Sequence, residues 1–562
     1  MGALLWGSAV HAQQPGVIQG RITSQFNGGP IADAQIGIPA LNLSALSSAD
    51  GSYRLAGVPA GEHVIETLRI GYSRTTRTIT ISAGQVLQLD ISLTEQAMEL
   101  DPLVVTGQGS EISRRRLSTN IDVISSEAIA ASSATRLDQL LQTQLPSVQV
   151  RLSSGQPGAT SVTRGRGPVS VSRATTPVIY VDGVRVDNLN GQAELSLNTS
   201  GNRRQGTQTS SIADIPLENI ERIEYVPGGA ATTLYGSDAA NGVIQIFTKK
   251  GTPGTSQLSF ESEIGFEGPV EKAFFFPQTA DLLYQNGLTQ QYRITGSGGN
   301  DRVTWSFGGS VLDREGYRID NNASRGYQAR TGLTAMLNED VQYTGSFGFG
   351  WNHYDRSRDG NAGGYTPLWL LEGGRIFAVG FNNKLNEATS EELSDLQDYL
   401  TRAEELQNYR VQVARFQMSH QFNWDARDDL SFSTTLGLDH RSSNERGIQT
   451  NEFLIFTGVQ PEGTDDRGSI SSYDRRFLGL TMEAGGQHRW EKGALSLVTS
   501  GGAQLFRDDD AQSARVALNV RDGSETVRGA GSTTADDYFI ELVNYGVYAQ
   551  QNWGLYDRYF LD

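Results

Sequence analysis

Two short segments carry residue types that could hold a metal, and neither is spaced to do so. His63-Val64-Ile65-Glu66 has the His-x-x-Glu order of a zinc ligand pair. The segment reads as a β-strand, where positions three apart point to opposite faces, so the two side chains cannot converge on one ion. The other histidines supply no evident third ligand. Asp355-Arg356-Ser357-Arg358-Asp359-Gly360 begins like a calcium loop, but its twelfth position is Thr366, where that loop needs a bidentate Glu. The chain has no cysteine, which removes disulfides, thiolate metal sites and cysteine nucleophiles. It has no Walker A sequence, no H-E-x-x-H and no G-x-S-x-G. No catalytic residue, metal or cofactor is therefore expected, and the protein is expected not to be an enzyme. One segment could bind through its backbone. Leu103-Val104-Val105-Thr106 is an apolar island in a polar stretch, and an extended island of this kind can add as a strand to the open sheet edge of a partner.

The elements around these residues are bounded by composition. A chain of 562 residues exceeds one compact domain and predicts two to four. No run of about 18 apolar residues occurs, so no transmembrane helix is expected. A β-barrel needs none, because its apolar residues alternate with polar ones. The formal net charge of −17 argues against nucleic acid as a partner, since phosphate binding wants Lys and Arg. Residues 1–12 hold a short apolar run, Ala3 to Val10, and then Val10-His11-Ala12, which resembles a small-residue cleavage site. They read as part of a secretory signal without its basic start.

Residues 17–94 combine alternating runs (Val17 to Ile22, Thr78 to Ile81) with turn signals at Asn27-Gly28-Gly29-Pro30, Asp50-Gly51 and Val58-Pro59-Ala60-Gly61. Short strands with regular turns predict a small β-sandwich. Residues 95–120 read as a linker containing the apolar island and the basic run Arg114-Arg115-Arg116. Residues 121–251 read as mixed α/β. A helix through Leu137, Leu140 and Leu141 is expected with Thr135 as its cap and Pro146 beyond its end. Val178 to Val184 reads as strand, turn, strand; Ile220 to Val226 and Val243 to Phe247 read as strands.

From residue 255 to 562 the pattern becomes long strands of period two. In Val341 to Trp351 the odd positions are mostly large and apolar, the even ones Gln, Thr, Ser and Gly. Tight connections (298–301, 338–340, 425–429, 491–493) alternate with long ones (266–289, 313–324, 355–408, 442–475, 507–543). Outer-membrane barrels alternate short turns and long external loops in this way, and a soluble sandwich has no reason to. Thr389 and Glu392 form a capping box for a helix in the longest loop. Trp351, Tyr354, Trp424 and Trp490 are expected in interfacial girdles. About ten complete strands and the start of another near Tyr559 leave the barrel incomplete, so the sequence reads as the N-terminal part of a longer barrel chain, because open edges are not tolerated in lipid.

Motifs in order carry a resemblance. Leu103-Val104-Val105-Thr106-Gly107 resembles the TonB box, and Thr163-Arg164-Gly165 resembles a plug motif. Val178 to Val184, with Asp182-Gly183, looks like the plug's hallmark strand and turn. Ile220 to Gly236, with Glu224, Tyr235 and Gly236, and Ala240 to Gly251, with Asn241 and Gly242, are similar to the segments leading out of a plug. Together they resemble a TonB-dependent outer-membrane transporter of the SusC/RagA-like branch. Gly20 to Thr23, Asp50 to Leu55, Val58 to Gly61 and Gly71-Tyr72 resemble a carboxypeptidase-regulatory-like domain. Ile38-Pro39-Ala40 departs from that domain's usual Gly-Thr turn, and Pro227-Gly228-Gly229 departs from the plug's usual forms.

The resemblance implies a multi-domain, mainly β architecture: a small β-sandwich in the periplasm, an α/β plug, and an antiparallel transmembrane β-barrel of which about half the strands are present. It implies active import of a glycan or peptide, powered by TonB with ExbB and ExbD, with a SusD-like surface lipoprotein as a further partner. Siderophore or cobalamin uptake is the alternative, and an adhesin or structural barrel a remote one. It also implies that Arg164 and Glu224 form plug–barrel ion pairs.

Overall fold

The computed structural model describes most of residues 15–561. Outside the description lie residues 1–14, 94–102, 106–110, 114–120, 166–175, 189–209, 357–366, 373–384 and 459–466, with some shorter breaks. The apolar run and cleavage site at the start, Thr106-Gly107, Arg114 to Arg116, Gly71-Tyr72 and Ser357 to Thr366 therefore lie outside it. The chain divides into two compact units, Met1–Pro102 and Leu103–Asp562.

The first unit is two sheets of four strands. Gly16–Ser24 pairs antiparallel with Ser52–Val58 and parallel with Val86–Gln88 and Ile91–Leu93. The second sheet orders Leu43–Leu46, Gln35–Ile38, Gly61–Leu68 and Thr75–Ile81. Alternation sends Ile18, Ile22, Ile36, Ile65, Ile81 and Ile91 into one core, and each such fully buried side chain contributes about 1.5–3 kcal/mol. His63 and Glu66 pair with Ile79 and Thr76 on the neighbouring strand, three positions apart and so on opposite faces. His63 Nε2 sits 2.8 Å from the Pro59 carbonyl.

In the second unit, Leu103–Val105 pairs antiparallel with Glu111–Ser113. A five-stranded sheet then runs in the order Asp122–Ser125, Ile220–Val226, Val243–Thr248, Val178–Val181, Val184–Arg185. Val178–Val181 and Val243–Thr248 are nearly continuous apolar runs, buried on both faces. Leu137–Gln144 buries Leu137, Leu140 and Leu141 against Ile179, Ile223 and Ile244. The cap differs from expectation. Arg136 holds the capping position without a side-chain bond to the helix amides, and the Thr135 hydroxyl turns to Gln139 Oε1 at 3.2 Å.

Residues Gln257–Glu267 through Tyr559–Leu561 form one sheet of 11 strands, each paired antiparallel with its chain neighbour. The first and last strands do not pair, so the sheet is not closed. Its outer face carries an apolar belt. On Val341–Arg356 the outward residues run from Val341 to Trp351, a rise that at a tilt of roughly 40° spans about 25 Å, the height of a barrel's lipid band. Trp351, Trp424 and Trp490 lie on that face. Tyr354 does not; it is buried, facing the lumen. Several strands continue past the belt: Leu430–Gln449, Gly468–Lys492, Leu495–Val520 and Ser532–Leu555 shorten the expected loops to 450–467 and 521–531. Above the belt both faces are polar, as in Arg441-Ser442-Ser443-Asn444-Glu445-Arg446, and the period-two signal disappears.

At the long-loop end, three connections share one apolar core. Leu282 and Leu283, Leu396 and Leu400, and Phe453 meet there. The helix Ser390–Glu405 has the expected Thr389–Glu392 capping box.

Candidate functional site

The five-stranded plug is fastened to the barrel by carboxylates that the plug presents and arginines that the wall presents. The arginines fall at lumen-facing parity in mid-strand, where the pleat turns them inward.

The first fastening is the Asp182-Gly183 turn. Asp182 has φ +47, a left-handed conformation tolerated by Asp and Asn better than by most residues. Its carboxylate accepts from Thr248 N at 2.9 Å and Thr248 Oγ1 at 2.8 Å within the plug. It also accepts from the barrel, from Arg330 Nη2 at 2.7 Å and Ser346 Oγ at 2.9 Å. Its carbonyl accepts from Ser419 Oγ at 2.8 Å and Gln421 Nε2 at 2.7 Å. Gly183, at φ +78, lies so close to the wall that a Cβ would stand 3.1 Å from Gln421 and 3.3 Å from Thr435. Burial alone would raise the Asp182 pKa, but Arg330 and the Thr248 bonds outweigh it and hold the carboxyl below its usual range.

The second fastening is a buried network around Asp187 and Asp214, each only 2 % exposed. Arg475 donates a fork to Asp187, at 2.7 and 3.1 Å, and its Nε donates to Asp510 of the barrel at 3.0 Å. Arg441 Nε donates to Asp214 at 2.8 Å. Arg415 joins the two sides: it pairs with Asp439 at 2.9 Å and donates to the Ser211 carbonyl at 2.7 Å. The Asp187 amide donates to Asp439 at 2.8 Å. Burial pushes the Asp187 pKa up, Arg475 and Arg441 push it down, and the arginines prevail. Nearer the short turns, Arg185 of the plug pairs with Asp238 at 3.1 Å and lies 3.9 Å from Asp508 of the barrel.

Such pairs contribute little net stability over an apolar substitute, because both charges lose water. Removing one partner strands the other and costs about 3–5 kcal/mol. The arrangement therefore fixes the plug's position and makes partial release expensive.

The motif residues fall in two places. Asp182 and Gly183 are in the clamp. Gly165, Asn241 and Gly242 converge inside the plug around Tyr225: a Cβ on Gly165 would sit 2.3 Å from the Tyr225 hydroxyl, and one on Gly242, at φ +92, 2.6 Å from its ring. Tyr235 packs against Tyr180 with the rings tilted by 43° and their centroids 5.2 Å apart, and its hydroxyl takes a bond from Gln245. Burial pushes the Tyr180 phenol above its usual range, so it stays protonated. Gly236, at φ +77, ends the helix Gly228–Tyr235. Arg164 stands opposite Gln149, its Nε buried without a hydrogen-bond partner among the described residues. Glu224 pairs with Arg222 of its own strand at 2.7 Å. Among the described residues, Asp182, Asp187, Asp214 and Arg185 form ion pairs that cross from plug to barrel. Asp187 and Asp214 have no motif to mark them. Their signal in the sequence is indirect: Arg330, Arg415, Arg441 and Arg475 on lumen-facing positions require carboxylates opposite.

A plug seated in an antiparallel sheet with a lipid-band exterior defines a class, the plugged outer-membrane receptors. Comparisons with known proteins agree with this architecture. Residues 113–243 match the TonB-dependent receptor plug domain, and residues 17–94 the carboxypeptidase regulatory-like domain. TonB-dependent receptor P3 of Formosa agariphila is 24% identical over 518 residues, covering 84% of this chain and 47% of that protein. TonB-dependent receptor SusC of Bacteroides thetaiotaomicron is 25% identical, covering 44% of this chain and 22% of SusC. The RagAB peptide importer in its open-open state shares the fold, with TM-score 0.61 at 14% identity, over 81% of this chain and 55% of that one. By these matches the chain carries a TonB-dependent receptor plug domain and a carboxypeptidase regulatory-like domain, and it is similar to SusC/RagA-like TonB-dependent receptors. It spans about half the length of these relatives, or less.

Proposed function

We propose that this chain serves TonB-dependent import of a nutrient, a glycan or a peptide, across the outer membrane. The observation that carries the reading is the clamp. A plug held by buried carboxylate–arginine pairs blocks the lumen and cannot drift out, so transport needs work. The outer membrane has no ATP, and the work is supplied from the inner membrane through TonB with ExbB and ExbD. Leu103–Val105 pairs on one edge with Glu111–Ser113, and its other edge takes no partner among the described residues. TonB adds its sheet there, by β-augmentation. The short-turn end and the N-terminal domain then face the periplasm, and the long-loop end faces outward, where a SusD-like lipoprotein delivers the substrate. An adhesin or structural barrel would have no use for a clamped plug. Deleting Leu103 to Thr106 is expected to abolish uptake while surface binding of substrate persists; uptake at the normal rate would refute the proposal.

A further inference from the structure

Arg441, Arg475 and Asp510 point into the lumen, so the alternate residues of Leu430–Gln449, Gly468–Lys492 and Leu495–Val520 face outward. A cavity of about 970 Å³ lies on that outward face, above the apolar belt. The connection 521–531 roofs it: Val527 packs with Ile448, Ile470 and Ala517, and Glu525 and Thr526 reach the cavity.

Register builds the floor. Ser472 pairs with Arg446 on one side and Arg515 on the other, so one hydroxyl stands between two guanidinium groups in a single row. Arg410 stands directly opposite Arg446 on the next strand, and like charges facing each other across a ladder repel. Asp355 lies 3.6 Å from Arg410 Nε. The Arg446 Nη2 is buried without a hydrogen-bond partner among the described residues. Asp474 takes a bond from Asn444 and lies 3.6 Å from Arg515, whose half-exposed guanidinium has further N–H groups to donate. Glu525 enters from the roof and Asp537 from the next strand. Planar guanidinium forks match the oxygens of a phosphate.

Height indicates what carries the phosphate. The outward apolar residues of Gly468–Lys492 end at Leu478, and exposed Arg476 follows at the next outward position. At a tilt of roughly 40°, Ser472 stands about 15 Å above Leu478. A phospholipid headgroup layer is only about 5–8 Å deep. A lipid that extends sugars above that layer spans both levels. We propose that the cavity binds a phosphate on the saccharide of an outer-leaflet glycolipid, held by Arg446 and Arg515 over the Ser472 hydroxyl. Arg476 meets the lipid at headgroup level, and Glu525 and Asp537 share the phosphate's counter-cation. The proposal rests on the import reading only for the outward orientation of the long-loop end.

The test measures binding of fluorescent rough lipopolysaccharide, a phosphorylated glycolipid, to the purified full chain in detergent. Saturable binding is expected. Arg446→Gln and Arg515→Gln should each weaken it about tenfold, the loss of a hydrogen bond to a charged group. Arg446→Lys, which keeps the charge and loses the fork, should fall between. Phosphatase treatment of the glycolipid should weaken binding as much as the Gln variants do. Absent saturable binding, binding that ignores both Gln variants, or binding unchanged by phosphatase overturns the site. Equal binding of labelled phosphatidylglycerol overturns the saccharide assignment. Displacement by millimolar inorganic phosphate assigns the site to the free ion and overturns the lipid source. Should Arg446→Gln lose heat-modifiable migration, Arg515→Gln decides. Orientation is read separately: Arg528→Cys, exposed on the roof, should react with an impermeant maleimide on intact cells. Absent labelling would overturn the outward orientation and the import reading with it, whatever binds in detergent.

Discussion

The clamp and the level of wall beneath it are built by the same strands, yet their chemistry is opposite. At mid-height the lumen-facing positions are Arg330, Arg415, Asp439, Arg441 and Arg475, nearly all buried and bonded to the plug or to one another. A few residues toward the short turns the same faces carry Thr334, Thr344 and Thr435, with Glu483 as the one acidic side chain among them. Charge concentrated in one band fastens the plug at a defined height. Neutral hydroxyls below it give the plug no charge to pair with. The difference teaches that fastening by charge is confined to one level of the wall.

Acid should break the comparison most strongly, because it strikes two clamp carboxyls together. Asp182 and Asp187 both titrate below the ordinary carboxylate range when folded. Their stabilisation is complete above about pH 4 and is lost as pH falls through the folded values. Proteolysis of the purified protein from pH 5 to pH 2 should show the plug becoming cleavable below about pH 4 and unchanged above it. Next in size is Asp187→Ala, which removes the fork from Arg475 and leaves it paired with Asp510; it should lower stability by about 3 kcal/mol, read by chemical denaturation. Asp182→Asn keeps the left-handed backbone and most donors but loses the charge facing Arg330; about 1.5–3 kcal/mol is expected. Thr435→Ala, in the neutral band, should change stability by less than about 0.5 kcal/mol. A Thr435→Ala loss as large as that of Asp187→Ala would erase the distinction between the two levels.

The sequence made one of these levels partly visible. Asp182-Gly183 stood out because a hydrophobic strand ending in Asp-Gly has a turn mechanism, and period two located the strands around it. Asp187 and Asp214 were hidden, since the partners that explain them lie more than two hundred residues away on the barrel. Ion pairs were expected at Arg164 and Glu224 on resemblance; Glu224 pairs with Arg222 of its own strand. The strand ends were misjudged where the exterior leaves the lipid band, because a strand polar on both faces has no periodicity to read. Tyr354 was assigned to a girdle by type, whereas its even position turns it to Asp214, 3.3 Å from its hydroxyl.

The central claim is that transport requires the plug to part from the wall at the clamp. The chain has no native cysteine, and Val184 of the plug packs on Gly437 of the barrel, its Cβ 2.9 Å from where a Cβ at 437 would lie. A Val184→Cys/Gly437→Cys pair would cross-link the two on oxidation with a small adjustment. Uptake of labelled substrate by cells carrying this pair should stop when the disulfide forms and return when it is reduced. Full uptake with the cross-link intact would contradict the account.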